Sequence, residues 1–394
     1  MVLGDRIRES RKRAALTQAQ VAEVMGVPRE LVSMWESESR TPDLRKLEKL
    51  SHLYQVSVDY LLGEVELDER HERALLYRGL VVEPEVRVEI GRWLDFLDDW
   101  AELLEDLEEG EKLTGPNRPP RRLDKGQVTD SRRAATLAME VREEYGLGRD
   151  AIPNLYAFLD SEGVLVCRAP LGPLDKTGIS GAFLNHPKLG YCILVNADTS
   201  PGRQTFTLAH EFAHALYHYP SGGIVSQKAE HYDPKERFAN TFAAHFLVPG
   251  KELRRMVEKR SREAVLDAYE ALKLAAYFRV SYATLLNRLR EEKLVHEEEY
   301  KWFKGHSPRM MALQVGLDPE DFELPKGENP YLGRYPISII ERVVRAVRDD
   351  DLTVPQAADL LNIDTYTLQQ QIKAFDHPPK ASEQEKHEFE ELPF

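Results

Sequence analysis

Cysteine is nearly absent from this sequence, which has only Cys167 and Cys192 in 394 residues. The two match neither a metal-type spacing nor a disulfide framework, so we expect a protein of the reducing cytoplasm. Long apolar runs are also missing, and the first residues lack the apolar core of a signal peptide. These absences argue against secreted and membrane-spanning classes, and we expect no membrane partner.

An excess of positive charge is also missing, since 53 Lys/Arg stand against 67 Asp/Glu and the net charge is −14 at pH 7. This value argues against a protein coated in nucleic acid. The charge is uneven, however: residues 1–63 carry 10 Lys/Arg against 9 Asp/Glu, whereas residues 64–112 carry 6 against 17. The acidity is therefore local, and a DNA-binding amino-terminal end remains possible.

The amino-terminal segment reads as five short helices over residues 3–62. Thr17 can cap a helix that ends at Gly26, and Pro28 begins the next one. Two helices joined by a tight glycine-containing turn form a helix-turn-helix unit. We therefore predict helices at Gln18–Met25 and Pro28–Glu36, the second being the recognition helix.

This segment resembles the Xre/Cro-type helix-turn-helix repressor family over its whole length. The matching positions are Ile7-Arg8, Leu16–Ala22, Val27-Pro28, Val32–Glu36, Pro42, Leu47, Lys49-Leu50 and Val58–Gly63. In that family the start of the recognition helix enters the major groove. The resemblance implies that Arg29, Glu30 and Ser33 face base edges, with Gln18 and Arg13 near phosphates. The alternative is a helical interaction module without DNA binding. Near-neutral charge weakens the phosphate contribution, which favours a homodimer on double-stranded DNA.

Glycine and proline are absent from residues 203–219, which contain the pattern His-Glu-x-x-His at His210–His214. On a helix, residues four apart share one face, so His210 and His214 can hold one metal ion. Glu211 lies beside them and can act as general base toward water at the metal. Chance matches to this short pattern occur, but the helical context favours a zinc site.

A small sheet is predicted before this helix, from strands at residues 164–168, 177–184 and 191–196. Gly178 and Gly181 would let another backbone come close. An exposed edge at Ser180 and Gly181 could pair with an extended substrate. Ordinary strand irregularity is the alternative explanation for these glycines.

A second helix is predicted from Pro234 to Pro249, after residues 222–233, which look too polar and broken for regular structure. A catalytic zinc ion usually has three protein ligands and a fourth position open for water. We predict that Glu236, in the first turn of this helix, is the third ligand. Asn240 lies one turn on and can orient a ligand.

Several further polar residues near the motif are weaker candidates. Helical drift carries His218 away from the metal, so it is expected to support a ligand or end the helix. His231, Tyr232 and Tyr217 are candidates for stabilising an oxyanion. His245 is expected to serve packing.

These residues resemble the ImmA/IrrE family of zinc endopeptidases, whose members are often fused to an Xre-type domain. The resemblance covers about residues 125–295. It rests on Ser180–Ala182, Ile193, Val195-Asn196, Arg203, Phe206–His214, Glu236, Phe238–Asn240, Phe242-Ala243, Leu247, Pro249, Phe278, Val280-Ser281, Leu286 and Arg288-Leu289. It implies His210, His214 and Glu236 as ligands and Glu211 as base. Phe212, where leucine is usual, is a departure that should not alter the chemistry.

The carboxy-terminal third is expected to be helical at residues 263–294, 337–347 and 353–375, and loop-rich at 302–335. The sequence pattern of residues 354–368 is similar to that of a helix-turn-helix unit. It fits either a second DNA-binding element or a pair of helices that serves an interaction. We therefore predict a mainly α protein with a small β-sheet (α+β). Its predicted parts are an Xre-type domain (1–66), an acidic helical connector and linker (67–122), a zincin-like metallopeptidase domain (123–295), a helical domain (296–375) and a disordered tail (376–394).

The favoured hypothesis is a DNA-binding transcriptional regulator whose zinc endopeptidase domain cleaves a partner regulator, such as a repressor. Two alternatives are a transcription factor whose zinc domain is only a sensor or scaffold, and an antitoxin-like regulator. Glu211 favours the first, since a scaffold has no need of a general base.

Overall fold

The computed structural model describes residues 2–14, 16–65, 83–108, 128–218, 223–227, 233–261, 266–318 and 334–376. Helices dominate these residues and one small sheet accompanies them, which confirms the predicted α+β class. The helices are α1 Leu3–Arg13, α2 Gln18–Met25, α3 Arg29–Glu36, α4 Leu44–Tyr54, α5 Val58–Leu62, α6 Pro84–Glu108, α7 Ser131–Glu144, α8 Leu155–Ser161, α9 Leu174–Thr177, α10 Pro201–Tyr217, α11 Pro234–Leu247, α12 Gly250–Ser261, α13 Ala268–Tyr277, α14 Tyr282–Glu291, α15 Glu297–Lys304, α16 Pro308–Gln314, α17 Ile337–Arg348, α18 Val354–Leu360 and α19 Thr365–Asp376. The strands are β1 Leu165–Ala169, β2 Ile179–His186, β3 Gly190–Asn196 and β4 Gly223–Gln227.

These elements form two compact units. The first contains α1–α5, α6 as far as Asp98, the sheet and α7–α16; the second contains the end of α6 and α17–α19. Among the described residues, no helix combines the length and the apolar composition needed to cross a bilayer.

The helices of the amino-terminal domain begin and end at local signals in the sequence. The Thr17 hydroxyl accepts a hydrogen bond from the Gln20 amide, and the Gln20 side chain accepts one from the Thr17 amide. Gly26 ends α2 with φ of +64°, a conformation that costs little without a side chain. The α3 helix starts at Arg29, with Pro28 as its N-cap rather than its first residue. Apolar faces of these helices meet in one core that includes Ile7, Val32 and Trp35.

Helix α6 contacts both the amino-terminal domain and the sheet. On one side, the His52 imidazole of α4 lies 2.6 Å from Asp95, and the Gln55 amide donates to the Arg87 carbonyl. On the other side, the Asp98 carboxylate lies 3.2 Å from His186 at the end of β2. Asp95 and Asp98 of α6 therefore each bond to a different neighbour. The flanking residues 66–82 and 109–127, including the predicted linker, lie outside the described residues.

The sheet has the order β1-β3-β2-β4, with β1 parallel to β3 and β2 antiparallel to both of its neighbours. The expectation that residues 222–233 lack regular structure is wrong for β4, which pairs with β2 from Ile179 to Leu184. This pairing also corrects the predicted exposed edge at Ser180 and Gly181, because β2 is an inner strand. The polar composition of residues 222–233 did not indicate β4, because backbone pairing with β2, and not a side-chain pattern, defines this strand.

The second correction concerns the segment predicted to be loop-rich after Trp302. Residues 297–304 and 308–314 form α15 and α16, which bury Tyr300, Phe303, Met311 and Ala312 in the main core. The run from residue 319 to 333 and the expected disordered tail after Asp376 lie outside the described residues. The strands and helices predicted for residues 131–196 and 266–294 match β1–β3, α7, α13 and α14 within a few residues.

We predict that Gly91→Val separates α6 from α4. A Cβ atom at Gly91 would lie 2.8 Å from Gln55 Nε2 and 3.0 Å from the Cα of His52, so a larger side chain must push the helices apart. The expected cost is about 1–3 kcal/mol of unfolding free energy, measured by chemical denaturation. Glu85→Val, at an exposed site on the same helix, is the matched control. Equal stability of the two variants would contradict this packing.

We predict that Gly181→Ala destabilises the contact between β2 and α10. The added methyl would lie 2.7 Å from both Leu194 O and Thr207 Cγ2, and neither can move without shifting β3 or α10. A loss of about 1–3 kcal/mol in unfolding free energy is expected. At Gly305, where the nearest atom would be 3.3 Å away, the same substitution should cost less. A Gly181→Ala protein as stable as the Gly305→Ala protein would contradict this prediction.

Candidate metal centre and nucleic-acid interface

Helix α10 carries both histidines of the His-Glu-x-x-His pattern on the face that packs toward α11. Pro201 begins the helix, and no residue from Gly202 to Tyr217 interrupts it. His210 and His214 are both buried, with Nε2 atoms 3.1 Å apart. The helix thus brings two imidazole nitrogens together, as their spacing predicts.

Helix α11 supplies the third group. Asp233 and Pro234 begin it, and Glu236 follows in its first turn, where the helix dipole favours a negative charge. The Glu236 oxygens lie 3.1 Å from Nε2 of His210 and 3.1 Å from Nε2 of His214. Among the described residues, these three form the one cluster of this kind that could hold a metal ion.

The spacing of these ligand atoms fits a tetrahedral ion. Zinc bonds of about 2.0–2.1 Å place neighbouring tetrahedral ligands about 3.3 Å apart, close to the separations between His210, His214 and Glu236. Two imidazoles and one carboxylate form a donor set suited to catalytic zinc, with a fourth position left for water or substrate.

Hydrogen bonds behind the ligands fix their orientation. His210 Nδ1 donates to Asn240 Oδ1 at 3.1 Å, as the predicted orienting role of Asn240 requires. His218 Nε2 donates to the Val128 carbonyl at 2.8 Å, so its Nδ1 is free to accept from His214 Nδ1 at 2.9 Å. Both ligand histidines therefore carry their proton on Nδ1, and each presents an Nε2 lone pair to the cluster.

The protonation states suit metal binding. Burial raises the pKa of Glu236, but the His210 and His214 imidazoles beside its carboxylate outweigh this effect and hold the pKa well below its usual range. Burial lowers the pKa of His214 and lowers that of His218 to about 3. For His210, burial acts downward, yet Glu236 and Glu211 leave its pKa raised. At neutral pH the carboxylate is ionised and His214 is neutral, which are the forms a cation binds.

Glu211, the predicted base, is completely buried beside the cluster. A Cβ atom at Gly181 would lie only 3.4 Å from its Oε1 atom, so β2 reaches the carboxylate because this position lacks a side chain. Ser180 precedes it in the same strand and is also buried. Gly181 therefore lies against the site, although β4 occupies the edge that we predicted for substrate.

The other candidates lie apart from the three ligand groups. Tyr217 packs edge-on against Phe238 and Phe242 in the apolar core, which is not the position expected of an oxyanion donor. His245 lies 3.0 Å from Glu291 and takes no part in the cluster. His231 and Tyr232 lie outside the described residues.

Two groups at the candidate metal centre were not identified from the sequence. The Val128 carbonyl that holds His218 is 90 positions away and is a backbone group, so no residue pattern could have indicated it. Thr207 is buried against Gly181, and its position four residues before Glu211 on the same helix was a usable signal.

In the amino-terminal domain, α3 presents Arg29, Glu30 and Ser33 on its exposed side, together with Met34. Arg13 is exposed at the end of α1. Gln18 is half-buried and donates to the buried Glu36 carboxylate, which also pairs with Arg11 at 2.5 Å. The side of α3 expected to face DNA is thus open, and the phosphate contact of Gln18 stays a prediction.

Comparison with known proteins matches these two regions to two families. Residues 7–61 match the helix-turn-helix family, and residues 159–290 match the Peptidase M78 family, described as the IrrE N-terminal-like domain. The second match contains β1–β3, α10, α11 and all three ligand residues.

Among curated proteins, the chain is similar to two from Bacillus subtilis (strain 168). It is 43% identical over 80 residues to HTH-type transcriptional regulator ImmR, which is 20% of this chain and 63% of that protein. It is 47% identical over 58 residues to uncharacterized HTH-type transcriptional regulator YobD, which is 15% of this chain and 52% of that protein. The chain thus spans about half to under two thirds of these relatives. The protein therefore joins a helix-turn-helix domain to an IrrE N-terminal-like domain of the Peptidase M78 family.

Proposed function

We propose that this protein is a DNA-binding transcriptional regulator whose IrrE-like domain is a zinc-dependent endopeptidase. Its substrate is a partner protein, itself a regulator such as a repressor. The observation that carries the proposal is the position of Glu211, which is completely buried beside His210, His214 and Glu236. A carboxylate is costly to bury, and a structural or sensing metal site would not need a fourth, basic group there.

The chemistry divides between the ligands and the base. One zinc ion per chain, held by His210, His214 and Glu236, would polarise the scissile carbonyl and lower the pKa of water toward about 7. Glu211 takes the proton from the attacking water and passes it to the nitrogen of the leaving amine. Asn240 and His218 keep the imidazole Nε2 atoms turned toward Glu236, where they would hold the ion, through their bonds to Nδ1.

The amino-terminal domain supports a regulatory setting for this chemistry. The exposed side chains of Arg29, Glu30 and Ser33 lie on the helix that reads DNA in Xre-type repressors, and ImmR and YobD carry the name of transcriptional regulators. The domain has little excess positive charge, which favours a homodimer on double-stranded DNA. We place this activity in the cytoplasm, where bacterial DNA and its regulators occur.

We predict that Glu211→Gln keeps the metal but loses cleavage. Glutamine has nearly the same shape and cannot accept a proton, so a loss of about 10²–10⁴-fold in rate is expected. The measurement is zinc content together with cleavage of repressors encoded beside the gene, in the same zinc-loaded preparations of the full chain.

The matched comparison is the double variant His210→Ala, His214→Ala, which should lose both zinc and cleavage. The control His245→Ala changes a half-buried histidine outside the cluster and should retain both zinc and cleavage. A Glu211→Gln protein that cleaves at the wild-type rate would rule out this mechanism. Wild-type protein that binds zinc and cleaves none of these repressors would favour a sensor, scaffold or antitoxin-like role.

We predict that Arg29→Ala and Ser33→Ala reduce sequence discrimination by the full chain. Each lost base contact is expected to cost about 1–3 kcal/mol, so gel shifts with the gene's upstream duplex should weaken more than shifts with random duplex. Arg45→Ala, an exposed arginine on α4, is the charge-matched control. If no variant and no wild-type protein gives a sequence-dependent shift, the domain is an interaction module.

A further inference from the structure

The Arg203 side chain lies on the same face of α10 as the metal-site histidines. It precedes His210 by seven residues, or nearly two full turns, so the two side chains project in almost the same direction. The Arg203 guanidinium lies 5.6 Å from the ring of Phe206, which stands between them. Arg203, Phe206 and His210 thus form a continuous row along α10 that ends at the candidate metal centre.

Arg203 is a largely buried cation without a matching anion. Its Nε atom is buried and has no hydrogen-bond partner, and no carboxylate pairs with its guanidinium within the described part of the chain. Burial lowers the pKa of Arg203, and no acidic neighbour offsets this effect. Such an arrangement is costly for a folded protein that has no use for it.

Two other buried arginines show how this protein satisfies a guanidinium that serves structure alone. Arg142 donates to four backbone carbonyls, including that of Phe246 at 2.6 Å. Arg288 donates to the Val248 carbonyl and pairs with Glu291 and Glu292. Arg203 differs from both because its acceptors do not come from the described residues.

Thr207 is a second buried polar residue on this face of α10, between Arg203 and the proposed base Glu211. It lies one turn after Arg203 and one turn before Glu211, and its buried Oγ1 atom has no hydrogen-bond partner among the described residues. Within the described residues, Arg203 Nε and Thr207 Oγ1 are thus two buried donors without acceptors, on the helix that carries the metal-site histidines.

We propose that Arg203, assisted by Thr207, binds an acidic side chain of the peptide substrate and so sets the sequence preference of the endopeptidase. This inference rests on the proposed function and names its substrate class. Seven helical residues span about 10 Å, and an extended peptide advances about 3.3 Å per residue. The acidic residue is therefore expected about three residues from the bond that is cut.

The test uses the zinc-loaded full-length protein and a mixture of peptides from a digested proteome. Sequencing of the cut products should show Asp or Glu enriched at one position within about three residues of the new ends. In Arg203→Gln this enrichment should disappear, and in Arg203→Glu it should be replaced by Lys or Arg. Arg203→Lys, which keeps the charge but loses the planar fork, should keep a weakened preference.

A matched peptide pair gives the magnitude. For the best cut sequence with Glu, Arg203→Gln should lower kcat/KM about 10- to 100-fold, as expected for a hydrogen-bonded ion pair. For the same peptide with Gln in place of Glu, wild type and Arg203→Gln should be equal within about twofold. Arg237→Gln, an exposed arginine next to Glu236, should leave both values unchanged.

A binding measurement separates this inference from the endopeptidase proposal. Zinc-loaded Glu211→Gln should bind the Glu peptide more tightly than the Gln peptide in calorimetry, and the added change Arg203→Gln should remove the difference. Cleavage or binding without any acidic preference, or a preference unchanged in Arg203→Gln, overturns the role of Arg203. If wild type cuts no peptide while the binding difference is present, the endopeptidase proposal fails and the acidic site stands.

Discussion

Glu236 is buried between the imidazoles of His210 and His214, where the packing of α10 against α11 brings the three side chains together. A carboxylate loses much of its hydration in such a place, so it stays ionised only if donors and a positive potential replace the water. The first turn of α11 contributes to that potential, whereas the two imidazoles present Nε2 lone pairs and leave the remainder to a bound cation. Any bound cation would strengthen the same arrangement, because all three groups already point at one position.

Close approach of the surrounding elements follows from small side chains at the contacts. Ala239 and Ala243 are completely buried on α11. Phe238, Phe242 and Phe246 of the same helix stack on one another and contact Phe212 and Tyr217 of α10. Gly181 lets β2 reach Glu211 from the sheet side. The ligands are therefore held by packing on two sides of α10, and Asn240 and His218 complete their orientation through hydrogen bonds.

Helix α6 gives the amino-terminal domain and the sheet a shared neighbour. Asp95 pairs with His52 of α4, and Asp98, one turn later, pairs with His186 at the end of β2. The strand that ends at His186 is the one whose Gly181 lies against Glu211. The contacts that attach the helix-turn-helix domain thus reach the strand beside the candidate metal centre through a single helix.

Much of this protein was determined by local sequence. Helix starts at Thr17 and Asp233, the end of α2 at Gly26 and the shared face of His210 and His214 depend on residues within one or two turns, so periodicity and capping suffice to predict them. Glu236 and Asn240 could be chosen because a second helix with small residues had to pack nearby. The tertiary structure alone decided that β4 pairs with β2, that His218 rests on the Val128 carbonyl, and that Tyr217 faces the core. Those contacts join backbone groups and side chains distant in sequence, and such partners leave no periodic or compositional pattern in the chain itself.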